Sequence, residues 1–393
     1  MSVIASRSTP TIGLDAADAA AVERMHRVEP VWRGVALARD VIGFDGHTIY
    51  HAGPPVDLQR IAQPLLNSAA VAAVFEGWAG DTTQAQEMIR DRRIKLAPAQ
   101  DHAVMVPLAA VLSPNMFAQV VCDANDPANH AFSPINGGGP HEARFGFGHD
   151  RALAHLRWIN GNLGAALAII VDRDIALLPI ADRAIAAGDD AHGRTVQASA
   201  AVVDALSPRL GVDTPERRFL DAAPGFFLTL WMAACRCIAK AGEGPGSSLI
   251  TTLGGNGIDF GVQVGAAPGQ WITTPAAPPD GPLDAGFLAN DRVGAIGDSA
   301  LVDGLGFGAM LARTNQNAAA LLPQPHGGFV ASSAAVGLPV RRIGETGVAP
   351  RIALGIIERT GTHGRIGGGV YEAPAELFTR AQGSVSGQQQ EIG

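Results

Sequence analysis

The chain changes composition twice along its length, and this pattern most constrains how it can fold. Its middle, residues 151–241, is dominated by helix-forming residues with apolar positions at helical spacing. The parts on either side contain short apolar and β-branched runs separated by glycine and proline turns. The sequence therefore predicts an α+β protein: an α+β domain at 1–150, a small helical domain at 151–241, and a second α+β domain at 242–393 that ends in a polar tail.

Periodicity gives finer expectations for individual elements. In the first domain, helices are predicted at 16–33 and 58–67, and apolar, strand-like runs at 47–51, 69–75, 103–112 and 116–122. In the rest of the chain, helices are predicted at 180–187, 195–206, 216–240 and 315–322, and strands at 248–253, 259–264 and 271–274. The first domain is thus expected to alternate strands and helices.

Charge and cysteine content argue against several classes of function. The 393 residues carry a formal net charge of -8, so no cationic field is available to bind nucleic acid or an anionic membrane surface. Three cysteines without paired spacing indicate neither a disulfide framework nor a zinc site. The first eleven residues lack the apolar core of a secretory signal. We therefore expect a cytoplasmic protein that binds neither nucleic acid nor membrane.

Three glycine-rich segments are candidates for anion binding. They are 136–139, which precedes Arg144, 254–257, and 364–369, which contains Arg365. Glycines allow backbone N–H groups to converge on a phosphate or carboxylate, although they serve tight turns more often. None of the three matches a Walker loop or a dinucleotide fingerprint, so the sequence predicts no nucleotide cofactor.

Two polar clusters are candidates for chemistry. Asp189 lies close in sequence to His192, which gives a carboxylate and an imidazole suited to proton transfer, or a plain capping loop. Asp298 and Ser299 stand where a helix is expected to begin, so they either cap it or leave its N–H groups to a ligand. The histidines show no metal-binding spacing, and no metal is predicted.

Several ordered motifs resemble one family. They are His51-Ala-Gly-Pro-Pro55, Phe75-Glu-Gly-Trp-Ala79, Asn136-Gly-Gly138 with Arg144-Phe-Gly146, Gly188-Asp-Asp190 with His192 and Arg194, Asn256-Gly257 with Phe260-Gly261, Gly297-Asp-Ser-Ala300, and Arg341-Arg342 with Glu345-Thr-Gly347. Together they resemble the family of the oxamate carbamoyltransferase subunit of allantoin breakdown. The resemblance extends from about residue 20 to residue 375.

This resemblance implies a reaction and partners. The family's fold has two α+β domains separated by a helical domain. Its reaction exchanges carbamoyl phosphate and oxamate for oxalurate and phosphate, in a complex with an acyl-CoA-synthetase-like subunit and a third subunit. No cofactor is implied beyond carbamoyl phosphate or phosphate as co-substrate. A homo-oligomer is left open.

Carbamoyl transfer requires a phosphate cradle, a donor to the carbamoyl oxygen and a well-placed attacking nitrogen. The candidate catalytic residues are His192, Asp189, Asn256 and Ser299. The candidate substrate- or anion-binding residues are Asn136, Gly137, Gly138, Arg144, Asp298, Arg341, Arg342, Glu345 and Thr346.

Departures from the family's motifs keep other functions open. An Asn-Glu-Gly motif is replaced by Asn136-Gly-Gly138, a Gln-Arg-Asn motif by Gly193-Arg-Thr195, and a Gly-Ile-Ala-His motif by Gly355-Ile-Ile-Glu358. A paralogue acting on another ureide, amide or N-heterocycle is therefore an alternative. So are a hydrolase of such compounds and a non-catalytic scaffold subunit.

Overall fold

The computed structural model describes residues 15–137, 144–310, 340–341, 343 and 349–391, with side chains to residue 385. The predicted helix at 315–322 lies outside these residues. The described chain combines helices with strands in several sheets, which confirms the predicted α+β class.

The first part of the chain contains short strands and helices, which alternate only up to residue 75. Its elements are α1 (Ala16–His26), β1 (Pro30–Leu37), α2 (Ala38–Val41), β2 (Thr48–His51), α3 (Gln63–Phe75), α4 (Thr82–Arg90), β3 (Lys95–Pro98), β4 (Val111–Leu112), β5 (Phe117–Asp123) and β6 (His130–Pro134).

The middle part is mainly helical, as predicted. Its elements are α5 (Asp150–Trp158), which continues through the π-helical turn Ile159–Gly164 into α6 (Ala165–Ile170), then β7 (Ile175–Ala176), α7 (Leu178–Ala186), α8 (Val196–Leu206), α9 (Pro215–Asp221) and α10 (Phe226–Ala241). No single helix in the described ranges is long and apolar enough to span a bilayer. Helices α9 and α10 meet that test only as a pair, across a bend of 74°.

The last part returns to mixed structure. Its elements are β8 (Ile250–Asn256), β9 (Asp259–Val264), β10 (Ile272–Pro275), β11 (Ile296–Gly297), α11 (Ala300–Gly304), β12 (Arg351–Ile357), β13 (Arg365–Glu372) and α12 (Ala375–Glu391). The three predicted strands of this region are confirmed as β8, β9 and β10. The bounds of β9 are those predicted, and the ends of β8 and β10 are shifted by one to three residues.

The strands form four small sheets. Two have four strands each, in the orders β6-β5-β1-β7 and β10-β9-β8-β11, and the others are β3-β2-β4 and the β12-β13 pair. Strand β7 belongs to the predicted helical domain, yet it pairs with β1. The division into three domains stays a prediction.

Helix α10 is the centre of the larger hydrophobic core. Phe226, Phe227 and Trp231 on this helix are fully buried, and the same core takes in residues of β1, β8 and α12. A second core surrounds α3, β2 and α4. Helix α10 is therefore buried on nearly all sides, as its apolar composition predicts.

Four element predictions in the first part differ from the structure. The helix predicted at 16–33 ends at His26, because Pro30 begins a strand that pairs with β5. The helix predicted at 58–67 begins only at Gln63, and it continues through the strand-like run 69–75 as the single helix α3, whose residues 64–73 are all buried. A helix buried on every face has no polar stripe, so its sequence resembles that of a buried strand. Of the run 103–112, only Val111–Leu112 is a strand.

The turn after β2 joins the first and last parts of the chain. Gly53 has φ +76°, and a Cβ there would lie 2.3 Å from the carbonyl carbon of Gly255 on β8. The side-chain nitrogen of Asn256 donates to the carbonyl of Pro54 at 3.0 Å. Glycine is thus required at position 53 both for the turn and for the close approach of two backbones.

Replacing this glycine should destabilise the protein more than a glycine of the same conformation in open space. We expect Gly77→Ala, at φ +75° with no atom within 4 Å of its new Cβ, to lower the free energy of unfolding by about 1 to 2 kcal/mol. Gly53→Ala should add roughly 1 to 3 kcal/mol for the clash. Urea denaturation of both variants measures the free energy of unfolding. Equal losses of stability in the two variants would contradict the close contact between Gly53 and Gly255.

Candidate active site

One cavity collects residues from all three parts of the chain. It has a volume of about 780 Å³. Its polar and charged lining residues are Arg144, His192, Ser299, His363 and Arg365. Its remaining lining residues are Pro107, Leu108, Phe145, Phe147, Gly193, Leu228, Ala353, Leu354, Gly355, Gly368 and Gly369. Three predicted site residues, Arg144, His192 and Ser299, therefore share one cavity, of a size typical of small-molecule sites.

A tight turn before α8 positions His192. Gly188 and Ala191 have φ of +102° and +62°. The carboxylate of Asp190 accepts hydrogen bonds from the backbone N–H groups of His192 and Arg194, both at 2.8 Å. The predicted polar connection thus folds around Asp190, which satisfies the turn's own donors.

The imidazole of His192 pairs with Asp303 on α11. Its Nδ1 is hydrogen-bonded to Oδ2 of Asp303, and the two side chains are 4% and 0% exposed. The other oxygen of Asp303 accepts from the backbone N–H groups of Ala309 at 2.7 Å and Ala353 at 3.2 Å. Because Nδ1 is occupied, Nε2 is the ring nitrogen left to exchange a proton with a ligand.

A glycine makes room for this pair. Gly308 has φ +59°, and a Cβ there would lie 2.5 Å from Oδ1 of Asp303 and 2.8 Å from Cβ of His192. Sequence reasoning missed Asp303. The signal was present as an acidic residue inside the apolar run 300–310, because a buried carboxylate needs partners.

The pairing sets the protonation of His192. Burial lowers the pKa of His192, but the Asp303 carboxylate, helped by Asp190, raises it by more, so the pKa lies above its ordinary value of 6.5. The sequence had paired His192 with Asp189, and that pairing was wrong. The Asp189 carboxylate accepts from the N–H of Ala198 at 3.0 Å, near the start of α8.

The guanidinium of Arg144 lies beside Gly225. A Cβ at Gly225 would be 3.6 Å from Nη1 of Arg144, and the guanidinium carbon is 4.6 Å from the centre of the Phe145 ring. The N–H of Gly225 donates to the carbonyl of Gly137 at 3.2 Å. The predicted residues Gly137 and Arg144 therefore flank the same glycine, although only Arg144 lines the cavity.

Ser299 precedes α11 and does not cap it with its side chain. Its neighbour Asp298 is fully buried, and its carboxylate accepts from the N–H groups of Gly53 (2.8 Å) and Val106 (3.1 Å) and from Nε2 of Gln100 (2.8 Å). Burial raises the pKa of Asp298 to about 7 in spite of these donors. A carboxylate held in this way orders the cavity wall next to Ser299.

Other predicted site residues lie away from this cavity. Asn256 holds the turn after β8, accepting from the N–H groups of Ile258 and Asp259. Arg341 forms ion pairs with Asp15 and Asp18. Asn136 lines a separate cavity of about 30 Å³. Their assignment to the site stays a prediction, as does that of Gly138, Arg342, Glu345 and Thr346, which lie outside the described residues.

The glycine segments do not act as the sequence suggested. At 254–257 a Cβ at Gly255 would lie 2.2 Å from the carbonyl oxygen of Ala295, and the N–H of Gly257 donates to that same oxygen at 3.1 Å, so these glycines pack against backbone. The segment 364–369 is mostly strand β13, and its Gly368 and Gly369 line the cavity beside Arg365. The charge available to an anion therefore comes from arginine side chains.

A wider cavity lies on the β2–β3 sheet. It has a volume of about 920 Å³ and contains none of the predicted site residues. Tyr50 is stacked between Phe44 and His102 at its wall, with ring centres 4.7 Å and 4.3 Å apart. Its two acidic groups, Asp45 and Asp57, form ion pairs with arginine or lysine at the surface. It offers no counterpart of the His192–Asp303 pair.

Comparison with known proteins gives consistent matches over most of the chain. Residues 94–299 match the family model described as oxamate carbamoyltransferase subunit AllG. The chain is 30% identical to the oxamate carbamoyltransferase subunit AllG of Escherichia coli (strain K12), over 93% of this chain and 96% of that one. It is 28% identical to the uncharacterized protein YahG of the same organism, over 93% and 84%. A crystal structure of a conserved Enterococcus faecalis V583 protein of unknown function has a TM-score of 0.86 at 27% identity, covering 94% and 97%.

Replacing Asp303 or Asp189 by asparagine tests which of the two carboxylates is the partner of His192. In Asp303→Asn the burial of His192 remains while its counter-charge is lost, so its pKa should fall from above 6.5 to below that value. In the matched control Asp189→Asn it should stay raised. NMR titration of the histidine rings, with the His192 signal assigned from the His192→Gln variant, measures the pKa of His192 in both variants. A lowered pKa in Asp189→Asn alone would contradict the structure.

The same pair predicts a pH dependence of stability. Because the folded pKa of His192 is raised, the pair's contribution is complete below about pH 6.5 and is lost as the pH rises through the raised value. The difference in unfolding free energy between wild type and Asp303→Asn should therefore shrink as the solution is made alkaline. A difference that grows with pH would contradict this sign.

Proposed function

The chain belongs to the family of the oxamate carbamoyltransferase subunit AllG, and on that premise we propose that it is a subunit of a carbamoyltransferase complex that reacts in the cavity of Arg144, His192 and Ser299. The observation that supports this most is the His192–Asp303 hydrogen bond. His192 lines the same cavity as the guanidinium of Arg144 and the hydroxyl of Ser299. Homology supports the complex, and the geometry supports a role for this subunit in the chemistry.

The reaction that fits is transfer of a carbamoyl group between phosphate and an amide nitrogen. In the synthetic direction the amide nitrogen of oxamate attacks the carbonyl carbon of carbamoyl phosphate. A C–N bond forms, the C–O bond to phosphate breaks, the nitrogen loses a proton, and oxalurate and phosphate are released. Such a reaction needs placement and charge stabilisation but no covalent nucleophile.

Three cavity side chains match these needs. The guanidinium of Arg144 suits the phosphate, because its fork can donate two parallel hydrogen bonds. The hydroxyl of Ser299 can donate to the carbamoyl oxygen as negative charge grows on it. His192, held by Asp303, accepts the proton from the attacking nitrogen through Nε2. Arg341 is a weaker choice for the phosphate, since it does not line this cavity.

The wider setting follows from the same family. We infer that the chain works in the cytoplasm with an acyl-CoA-synthetase-like subunit and a third subunit, in the breakdown of purine-derived ureides. The substrate is then a ureido or amido acid, with carbamoyl phosphate or phosphate as co-substrate.

A hydrolase of a ureide or N-heterocycle is the second candidate. It is favoured by the same histidine–carboxylate pair, because an imidazole oriented by a buried carboxylate can also activate water. The two functions differ in their dependence on phosphate. Phosphorolysis of oxalurate requires phosphate and yields carbamoyl phosphate, whereas hydrolysis needs no phosphate and yields no carbamoyl phosphate.

The assay uses the chain co-expressed with the acyl-CoA-synthetase-like subunit and the third subunit of the proposed complex. We expect oxalurate cleavage that depends on phosphate. His192→Gln should lower kcat at least ~100-fold, because general-base catalysis contributes about 10² to 10⁴, and Arg144→Gln should raise the KM for phosphate. His47→Gln, an exposed histidine outside the cavity, is the matched control.

The outcomes separate the candidates. Cleavage of a ureide without phosphate would favour the hydrolase. Full activity of both cavity variants in an active complex would instead make this chain a scaffold.

A further inference from the structure

Arg365 lies across two glycines that face each other on neighbouring strands. Gly355 of β12 and Gly368 of β13 are cross-strand partners. A Cβ at Gly355 would be 3.5 Å from Cδ of Arg365, and a Cβ at Gly368 would be 3.3 Å from its Nη2. The arginine side chain therefore extends over the backbone of both glycines, and Cδ1 of Leu108 packs there too, 2.9 Å from a Cβ at Gly355. Arg365, Gly355 and Gly368 all line the cavity.

The backbone holds this guanidinium in place. Nε of Arg365 donates to the carbonyl of Gly367 at 2.9 Å. Among the residues with described side chains, no carboxylate lies within ion-pair distance of Arg365. By contrast, Arg351 on the paired strand forms an ion pair with Glu372 at 2.9 Å. Arg365 thus presents an oriented positive charge to the cavity that no described ion pair offsets.

The strand beneath Arg365 is fixed on its other edge as well. The N–H of Val370 donates to the carbonyl of Asp280 at 2.8 Å, and the N–H of Asp280 donates back at 2.9 Å. A Cβ at Gly369 would lie 2.3 Å from the carbonyl oxygen of Asp280, and one at Gly367 would lie 2.4 Å from that of Pro282. These glycines serve close packing, and the guanidinium is left as the anion-binding group of this wall.

We propose that Arg365 binds the carboxylate of the acceptor and so determines its specificity for amido acids over neutral amides. The proposal rests on the proposed function. A planar guanidinium held through Nε has its remaining donors free for a bidentate carboxylate. Arg144 lies against Phe145 and Gly225, on a different loop, and takes the phosphate. The two anions of the reaction then have separate cations, with His192 and Ser299 at the bond that changes.

The test compares substitutions at Arg365 in the intact complex. In Arg365→Gln the KM for oxamate should rise about 10- to 100-fold, since a charge-assisted hydrogen bond contributes roughly 1.5 to 3 kcal/mol, while the KM for carbamoyl phosphate stays unchanged. The preference for oxamate over its neutral analogue oxamide should fall by the same factor. Arg365→Lys should recover part of the loss. Arg359→Gln, an exposed arginine outside the cavity, is the matched control.

A second variant keeps the charge and moves it. Gly368→Ala places a methyl group 3.3 Å from Nη2 of Arg365, so it should weaken oxamate selectivity without removing the arginine. Melting temperatures of all variants show whether the complex remains folded.

Binding of oxamate and oxamide, measured by calorimetry without carbamoyl phosphate, separates this inference from the proposed function. If no carbamoyl transfer occurs but oxamate binding depends on Arg365, the inference stands and the proposed reaction fails. If transfer occurs and Arg365→Gln leaves the oxamate KM unchanged, the inference is overturned and the reaction stands. Failure of the wild-type complex to bind oxamate, or equal binding by Arg365→Gln, overturns the inference as well.

Discussion

The carboxylate of Asp298 joins the last part of the chain to the first, and the cavity depends on this junction. Its oxygens accept from Gly53, Gln100 and Val106, while its own N–H donates to the carbonyl of Val106 at 3.0 Å. Ser299 follows Asp298 directly. A buried carboxylate is tolerated only when several donors surround it. Here those donors come from residues 192 to 245 positions away in sequence, so satisfying one charge fixes one wall of the cavity.

The second buried carboxylate gives the cavity its chemistry. Asp303 lies five residues after Asp298, and its two oxygens connect His192 to the backbone of Ala309 and Ala353. The imidazole is therefore oriented from α11 and β12, far from its own turn in sequence. Orientation by a buried acid is what an acid–base group needs if it is to act at one atom of a bound ligand.

Much of the fold was predictable from local pattern, and the site was predictable only in part. The segments of β8 to β10 have β-branched residues between glycine turns, a pattern that predicts strands, and all three are strands in the structure. The second half of helix α3 was not predictable, because burial on every face removes the polar stripe that identifies a helix. Motif resemblance found His192, but its partner Asp303 is 111 residues away. Only tertiary structure brings such a pair together.

Glycine has a different role from the one its abundance suggested. At position 53 it lets two backbones approach, and at position 308 it makes room for the His192–Asp303 pair. At position 368 it leaves space beside the guanidinium of Arg365. The central claim is therefore that side chains of this subunit hold the reacting anions. A crystal structure of the complex with phosphonoacetamide, an unreactive analogue of carbamoyl phosphate, tests it most directly. We expect the phosphonate beside Arg144 and the amide within hydrogen-bond distance of Ser299. A phosphonate bound where neither residue contacts it would show that these side chains do not hold the reacting anions.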